Sequence, residues 1–259
     1  MQVTALANSG YQFANFLGDL TGSTNPQSVA MTAPRAVTAN FTAVTPAGSP
    51  AAYWKLDEGS GATSFANASG NGNAGACSGA ACPTMGVAGR VGTAASFNGN
   101  QISIPDSPSL RLNQLTIALW VYPTQVKTDF QPLVVKEDSS GANRNYGLFI
   151  APNSTQIRYA VWAGDCVTRF AASSVGQLPL NTWSHIVFTY DGTVEKLYVN
   201  GVLDSSNAAA AGSLCQAAVP VKLGMETSAF LPFSGILDEV GIYSQALSAA
   251  AVSNLYTGL

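Results

Sequence analysis

Short runs of alternating apolar and polar residues recur along most of the chain, and they predict an all-β protein. In LTIALWVYP (115–123) both alternating sets of positions are apolar, so both faces of this strand can be buried. In TYDGTVEKLYVNG (189–201) the D-G and N-G pairs predict consecutive antiparallel strands that end in a tight turn. Such meanders close into antiparallel β-sandwiches.

The last residues depart from this pattern. SAAAVSNLYTG (248–258) predicts one short helix, with Ser248 as the N-cap and Gly258 at the C-terminal stop. We therefore predict a β-sandwich that carries a single short C-terminal helix.

Composition and charge exclude several classes of function. Of the 259 residues 47% are hydrophobic and 10% are charged, which is enough apolar surface for one substantial core. The net charge of −3 and 11 thinly spread Lys and Arg give no basic stripe that would neutralise phosphates, so we expect no nucleic-acid partner. No apolar run approaches the roughly 18 to 20 residues that span a bilayer, so we expect no membrane span.

The chain has four cysteines, and they favour disulfides over a metal site. No C-x-x-C pair or adjacent His gives the usual zinc spacing. Of the three possible pairings, Cys77 with Cys82 and Cys166 with Cys215 respects local geometry best, and four buried free thiols are the alternative. Disulfides would place the protein outside the reducing cytosol, either secreted or at a cell surface.

The first 42 residues differ from the rest, and a Pro/Gly/Ala/Ser-rich linker at 43–52 separates the two. The pattern GYxF, GD, TGSTNP and VTANF resembles the C-terminal half of the divergent internalin-type B repeat of bacterial surface and secreted proteins. Half a repeat would leave strand edges unpaired. We therefore expect residues 1–42 to add strands to an edge of the following domain or of a neighbouring copy, which is a route to self-association. A flexible remnant is the alternative.

Seven motifs follow one another along the remainder of the chain, 53–259: YWKLDEGSGAT (53–63), NASGNGNAG (67–75), FNGNQISIPDSPSL (97–110), LTIALWVYP (115–123), WSHIVFTYDG (183–192), KLYVNGVLD (196–204) and FSGILDEVGIYSQALS (233–248). Together, in this order, they resemble the laminin G-like, concanavalin A-like lectin jelly roll over residues 53–256. The resemblance implies an antiparallel jelly-roll β-sandwich.

The resemblance implies a noncatalytic binding or adhesion module directed at a polysaccharide or glycoprotein. A glycoside hydrolase or lyase on the same fold is the alternative. The E-x-D-x-x-E strand of such glycosidases is absent, and neighbouring acids on a strand face opposite ways, which separates the pairs Asp57/Glu58, Glu137/Asp138 and Asp238/Glu239. His185 is the single histidine and no G-x-S-x-G elbow accompanies it. A self-assembling structural surface protein is a third hypothesis.

Related jelly rolls often hold a structural calcium between an N-terminal acidic loop and the last strand. The resemblance transfers this site to Asp57, Asn67, Asn71 and Asp238. Asn67 stands where many relatives have Asp, which would weaken the site. The alternative is that Asn67 and Asn71 only supply turn geometry.

Carbohydrate recognition usually combines an aromatic ring with polar groups that fix hydroxyls. In QIRYAVWAGD (156–165), alternation places Arg158 and Trp162 on one face and Tyr159 on the other. GANRNYG (141–147) adds Arg144 and Tyr146. These four residues, Trp162, Arg158, Arg144 and Tyr146, are the predicted ligand site, and a buried Trp with solvated arginines is the alternative.

Overall fold

The structure is a computed structural model that describes residues 1–7, 11–43, 48–138, 143–208, 212–225 and 232–258. Of the predicted linker at 43–52, residues 44–47 lie outside the described residues. The strands and the helix, in chain order, are β1 (Gln2–Val3), β2 (Tyr11–Gly18), β3 (Gln27–Ser28), β4 (Val37–Ala43), β5 (Ala52–Trp54), β6 (Ser64–Phe65), β7 (Gly75–Ala76), β8 (Thr84–Ala88), β9 (Thr93–Asn98), β10 (Ile102–Ile104), β11 (Leu115–Pro123), β12 (Gln131–Glu137), β13 (Arg144–Ile150), β14 (Ile157–Trp162), β15 (Arg169–Ser173), β16 (Ser184–Tyr190), β17 (Val194–Val199), β18 (Val202–Ala208), β19 (Val221–Leu223), β20 (Ser234–Tyr243) and α1 (Ala249–Thr257).

Two antiparallel sheets form the sandwich, as the strand pattern predicts. The front sheet has the order β15-β14-β13-β12-β19-β10-β7-β6. The back sheet has the order β18-β17-β16-β11-β20-β9-β8, and β5 pairs with β20 beside this path. Strands that are distant in sequence lie side by side, for example β12 with β19 and β11 with β20. The fold is therefore an all-β jelly roll.

The core lies between the two sheets, where alternate side chains of each strand meet. Trp54, Phe97 and Phe188 are among its largest members, and each is at most 1% exposed. The indole N–H of Trp54 donates a hydrogen bond to the backbone oxygen of Asn73, so the one polar atom of this ring is satisfied. Burying a large side chain of this kind stabilises the fold by about 2 to 3 kcal/mol.

Helix α1 packs on the outer face of the back sheet. Its buried residues Ala251 and Val252 belong to one hydrophobic cluster with Val187 and Tyr198 of the strands below. The Ser248 hydroxyl accepts a hydrogen bond from the backbone N–H of Ala251, which confirms the predicted N-cap. Because this helix covers part of the back sheet, the two outer faces of the sandwich differ.

Both predicted disulfides are present. The Cα atoms of Cys77 and Cys82 are 5.0 Å apart, and those of Cys166 and Cys215 are 4.8 Å apart. The second bond ties the turn between β14 and β15 to the segment that precedes β19. Among the described residues, α1 is far too short to cross a bilayer, and no longer apolar helix occurs.

The N-terminal segment pairs with itself. Strand β1 pairs with β3 and β2 pairs with β4, and no described residue of these strands is hydrogen-bonded to a strand of the sandwich. The prediction that the segment adds strands to its own jelly roll is wrong, because Phe16, Leu20 and Val29 form a small core of their own. Pairing with a neighbouring copy stays a prediction.

Candidate functional site

A cavity of about 200 Å³ opens on the outer face of the front sheet. We call it the arginine cavity, and its lining residues come from four neighbouring segments: Phe130, Arg144, Phe149, Arg158, Ala160, Trp162 and Arg169. Strand register brings them together, since Phe149 of β13 lies opposite Arg158 of β14, and Trp162 lies opposite Arg169 of β15. Cross-strand neighbours on one face are close enough for their side chains to interact.

Alternation along β14 sets which residues reach this cavity. Tyr159 and Val161 are fully buried in the core, whereas Arg158, Ala160 and Trp162 belong to the outer face. The sequence pattern predicts this division. Three of the four residues of the predicted ligand site, Arg144, Arg158 and Trp162, therefore line one cavity.

Tyr146 does not join them, although it is two residues from Arg144 on the same strand. It is 1% exposed, lies in the core, and donates a hydrogen bond from its hydroxyl to the backbone oxygen of Leu110. The cause is a β-bulge. Lys136 pairs with Tyr146, and the next residue, Glu137, pairs with Arg144. One extra residue of β13 therefore lies between Arg144 and Tyr146 and places their side chains on opposite faces of the sheet.

Trp162 supports the cavity and is not an open stacking platform. Its side chain is 6% exposed. The guanidinium carbon of Arg144 lies 5.6 Å from its ring centre, and Cys166 and Cys215 pack in the same cluster. The backbone N–H of Cys215 donates to the backbone oxygen of Trp162, which holds this segment against β14. The ring thus orients Arg144 by a cation–π contact.

The remaining aromatic surface comes from Phe130 and Phe149, whose ring centres are 6.0 Å apart. Sequence reasoning did not find Phe130, Phe149 or Arg169. Counting outward from the turn between β14 and β15 would have placed Arg169 beside Trp162, since the hairpin pairs these two residues. Phe130 gives no such signal, because it precedes β12 after a loop.

Charge in the arginine cavity is strongly positive. Glu137, which is 1% exposed, forms an ion pair with Arg144 at 2.8 Å between Oε2 and Nε. Burial raises the pKa of Glu137 to about 7, although the positive charge of Arg144 opposes this shift. Burial and then the charge of Arg169 lower the pKa of Arg158, whose Nη1 lies 3.4 Å from the Ser173 hydroxyl. The three guanidinium groups thus outnumber the nearby carboxylates, those of Glu137 and Glu195.

The predicted calcium residues fall into two groups, and Asp57 and Asp238 form the first. Asp238 Oδ2 accepts hydrogen bonds from the backbone N–H groups of Arg90 and Val91 at 2.7 and 2.9 Å. Asp57 Oδ1 accepts one from the backbone N–H of Thr93 at 2.8 Å. Both carboxylates therefore flank the hairpin between β8 and β9. Asp238 Oδ1 is buried and has no hydrogen-bond partner among the described residues.

Asn67 and Asn71 form the second group, and their amides bind loop backbone. Asn67 Oδ1 accepts from the N–H groups of Tyr53 and Ser69, and its Nδ2 donates to the oxygen of Gly72. Asn71 Nδ2 donates to the oxygens of residues 50 and 51 at 3.4 Å. These bonds fasten the loop before β7 to β5. In the described part of the chain, no three His, Cys, Asp or Glu residues cluster as a metal site.

The sequence profile of the concanavalin A-like lectin/glucanases superfamily matches residues 96–253, more than half of the chain. The chain belongs to this superfamily. The profile of the divergent InlB B-repeat domain matches residues 1–45 of this superfamily member, which confirms the resemblance of its N-terminal segment.

Solved structures with the same fold include two that were solved with a bound sugar. Domain 4 of AbnA, an extracellular arabinanase from Geobacillus stearothermophilus solved with arabinotriose, is 24% identical, has a TM-score of 0.63, and covers 80% of this chain and 98% of that one. The botulinum neurotoxin serotype D ligand-binding domain solved with N-acetylneuraminic acid is 14% identical and has a TM-score of 0.59. The match covers 81% of this chain and 51% of that one. These likenesses show the fold of the superfamily domain.

A curated relative matches a smaller part of the chain. Adhesion G-protein coupled receptor V1 from Danio rerio is 19% identical over 150 residues, which are 56% of this lectin-like chain. The chain spans only 2% of that receptor's length.

Of the residues weighed for catalysis, Glu137 lies beside the arginine cavity of this lectin-like domain, and His185 and Glu58 lie elsewhere. His185 lies on the outer face of the back sheet and is 4% exposed, and burial lowers its pKa to about 4. Glu58 Oε1 accepts from the N–H of Ala66, and Glu137 binds Arg144. The assumption that neighbouring acids face apart fails at Asp238/Glu239, where β20 contains a bulge opposite Leu119.

Proposed function

We propose that this chain is a noncatalytic binding module that recognises an anionic glycan through the arginine cavity. One observation carries the proposal: three of the 11 Lys and Arg residues of a chain with net charge −3 line a single cavity on the outer face of the front sheet. Such concentration of positive charge in a cleft attracts an anionic ligand.

The geometry supports a sugar that carries a carboxylate or sulfate group. Guanidinium groups bind carboxylate and sulfate oxygens through short, charge-assisted hydrogen bonds. Phe130 and Phe149 supply an apolar wall against which the C–H face of a sugar ring packs. The cavity of about 200 Å³ holds one ring, with the rest of the glycan extending over the open outer face.

The comparisons supply independent support for a carbohydrate partner. The AbnA domain was solved with arabinotriose and the serotype D domain with N-acetylneuraminic acid, which is itself a carboxylated sugar. The two disulfides and the InlB B-repeat segment support a secreted or cell-surface protein in which this domain is one module. An adhesion role and a glycoprotein partner belong to the same proposal.

We further infer that Asp57 and Asp238 hold a structural calcium ion beside the hairpin between β8 and β9. The buried, unpartnered Oδ1 of Asp238 fits a hard cation, and the nearby Asp57 adds a second carboxylate. Backbone oxygens and water would complete the coordination. Asn67 and Asn71, whose amides are engaged elsewhere, would support the ion through loop geometry.

Removing one guanidinium should weaken the binding of anionic glycans. We expect Arg158→Met and Arg169→Met each to reduce affinity for sialylated and uronate-containing oligosaccharides about tenfold or more, because each removes a charge-assisted hydrogen bond. Lys196→Met removes one positive charge from the back sheet and should leave affinity unchanged. Calorimetric titration measures the three variants, and equal affinities for all of them would contradict the site.

Affinity for an anionic glycan should increase as the pH falls from 8 to 6. Glu137 has a pKa of about 7, so it is mostly neutral at pH 6 and no longer neutralises Arg144. The positive charge of Lys222 also favours the ionised form of Glu137, and the negative charge of Asp138 opposes it. A sugar carboxyl group stays ionised over this range, and the expected gain is roughly tenfold. Titration at both pH values checks it. The Glu137→Gln variant should bind the glycan with the same affinity at pH 8 and pH 6. If this variant kept the pH dependence of the native chain, the role of Glu137 would be refuted.

Chelation should lower the melting temperature if Asp57 and Asp238 hold calcium. A ligand that binds only the folded state stabilises it by mass action, and saturation a hundredfold above Kd corresponds to roughly 5 to 10 °C. Differential scanning calorimetry with calcium and with excess chelator measures this. Asp57 is exposed, and the Asp57→Asn variant should melt at the same temperature with calcium and with chelator. Identical melting curves for the native chain under both conditions would exclude the ion.

A further inference from the structure

A second cavity, of about 250 Å³, lies on the outer face of the back sheet beside the C-terminal part of α1. We call it the helix-side cavity. Its polar and aromatic lining includes Trp120, His185, Glu239, Tyr243, Asn254 and Tyr53. It lies on the sheet opposite to the arginine cavity and shares no lining residue with it.

Glu239 reaches this cavity because of the bulge in β20. Ala118 pairs with Gly241 and Trp120 pairs with Asp238. Two residues of β20, Glu239 and Val240, therefore lie opposite the single residue Leu119 of β11. Its φ of 53° lies in the left-handed region, which is unfavourable for a residue with a Cβ and is found preferentially at functional sites. The Glu239 side chain is half-buried and forms no hydrogen bond or ion pair with the described residues. The fold thus presents a carboxylate that has no ion-pair partner among the described residues.

Two further polar side chains of the cavity have unsatisfied atoms. His185 and Asn254 are 4% and 5% exposed, and neither the Nδ1 atom of His185 nor the Nδ2 atom of Asn254 has a hydrogen-bond partner among the described residues. A buried polar group without a partner costs free energy. A bound molecule with hydrogen-bonding groups would recover that cost.

The aromatic side chains favour a cation. Trp120 is already in contact with the Arg90 guanidinium, 4.6 Å from its ring centre, and with Tyr256, 5.6 Å away. Tyr53 and Tyr243 line the cavity beside Glu239. An ammonium group that lies near a carboxylate and tyrosine rings gains both ionic and cation–π attraction, whereas an anion would be repelled by Glu239.

We propose that the helix-side cavity binds a protonated hexosamine, with the ammonium group at the Glu239 carboxylate and a ring oxygen or hydroxyl accepting from the Asn254 amide. One hexosamine ring is compact enough for a cavity of about 250 Å³. The lectin-like domain would then hold two sugar sites of opposite charge on its two outer faces, and this second site does not depend on ligand binding at the arginine cavity.

The test is a titration of the whole chain with glucosamine, N-acetylglucosamine and glucose at pH 7, in which ligand-observed NMR measures the binding of each sugar. These sugars share one ring, and only glucosamine carries a positive charge. We expect millimolar affinity for glucosamine, in keeping with a single small ring, and at least tenfold weaker binding of the other two. Equal binding of the three sugars, or no binding of glucosamine, would overturn the proposal.

Two matched variants locate the site. Glu239→Gln keeps the shape of the side chain and should weaken glucosamine binding at least tenfold, with an unchanged melting temperature as the control for folding. Glu137→Gln makes the same change at the arginine cavity and should leave glucosamine binding unchanged. If Glu239→Gln destabilises the fold, Asn254→Ala provides a second test and should weaken glucosamine binding as well. Glucosamine binding that survives loss of Glu239 in a folded chain would refute the assignment.

Discussion

Burial of alternate side chains between the two sheets is the constraint on which the other features of this domain depend. Each strand of the sandwich contributes every second residue to the core, and the residues between them must emerge on an outer face. Arg158 and Trp162 reach the arginine cavity because Tyr159 and Val161 fill the core. The packing of the interior therefore fixes the chemistry of the exterior, and a single slip in register would exchange the two.

Both candidate sites lie where that alternation is interrupted. The bulge in β13 turns Arg144 outward while Tyr146 stays in the core, and the bulge in β20 delivers Glu239 to the helix-side cavity. Bulges re-aim side chains at the cost of local ladder pairing. Each cavity thus owes one of its charged residues to an irregularity in an otherwise regular sheet. The Cys166–Cys215 disulfide packs in one cluster with Trp162 of the arginine cavity.

The extent to which sequence predicts this structure follows from the same physics. Period-two alternation, turn dipeptides and the Ser248 cap are local signals, so the sandwich, the helix and both disulfides were predictable. The face of Tyr146 was not, because a bulge depends on the partner strand and leaves no mark in the alternation. Nor was the independent pairing of the N-terminal strands, since the small core around Phe16 forms only when residues between positions 3 and 39 pack together.

A crystal structure of the chain with a bound sialylated or uronate-containing oligosaccharide would show whether the arginine cavity is the glycan site. We predict that the glycan carboxylate lies about 3 Å from the guanidinium nitrogens of Arg158 or Arg169 and that its ring packs on Phe130 or Phe149. A glycan held at the Asp57 and Asp238 loops, or one whose carboxylate points into solvent away from all three arginines, would contradict this assignment.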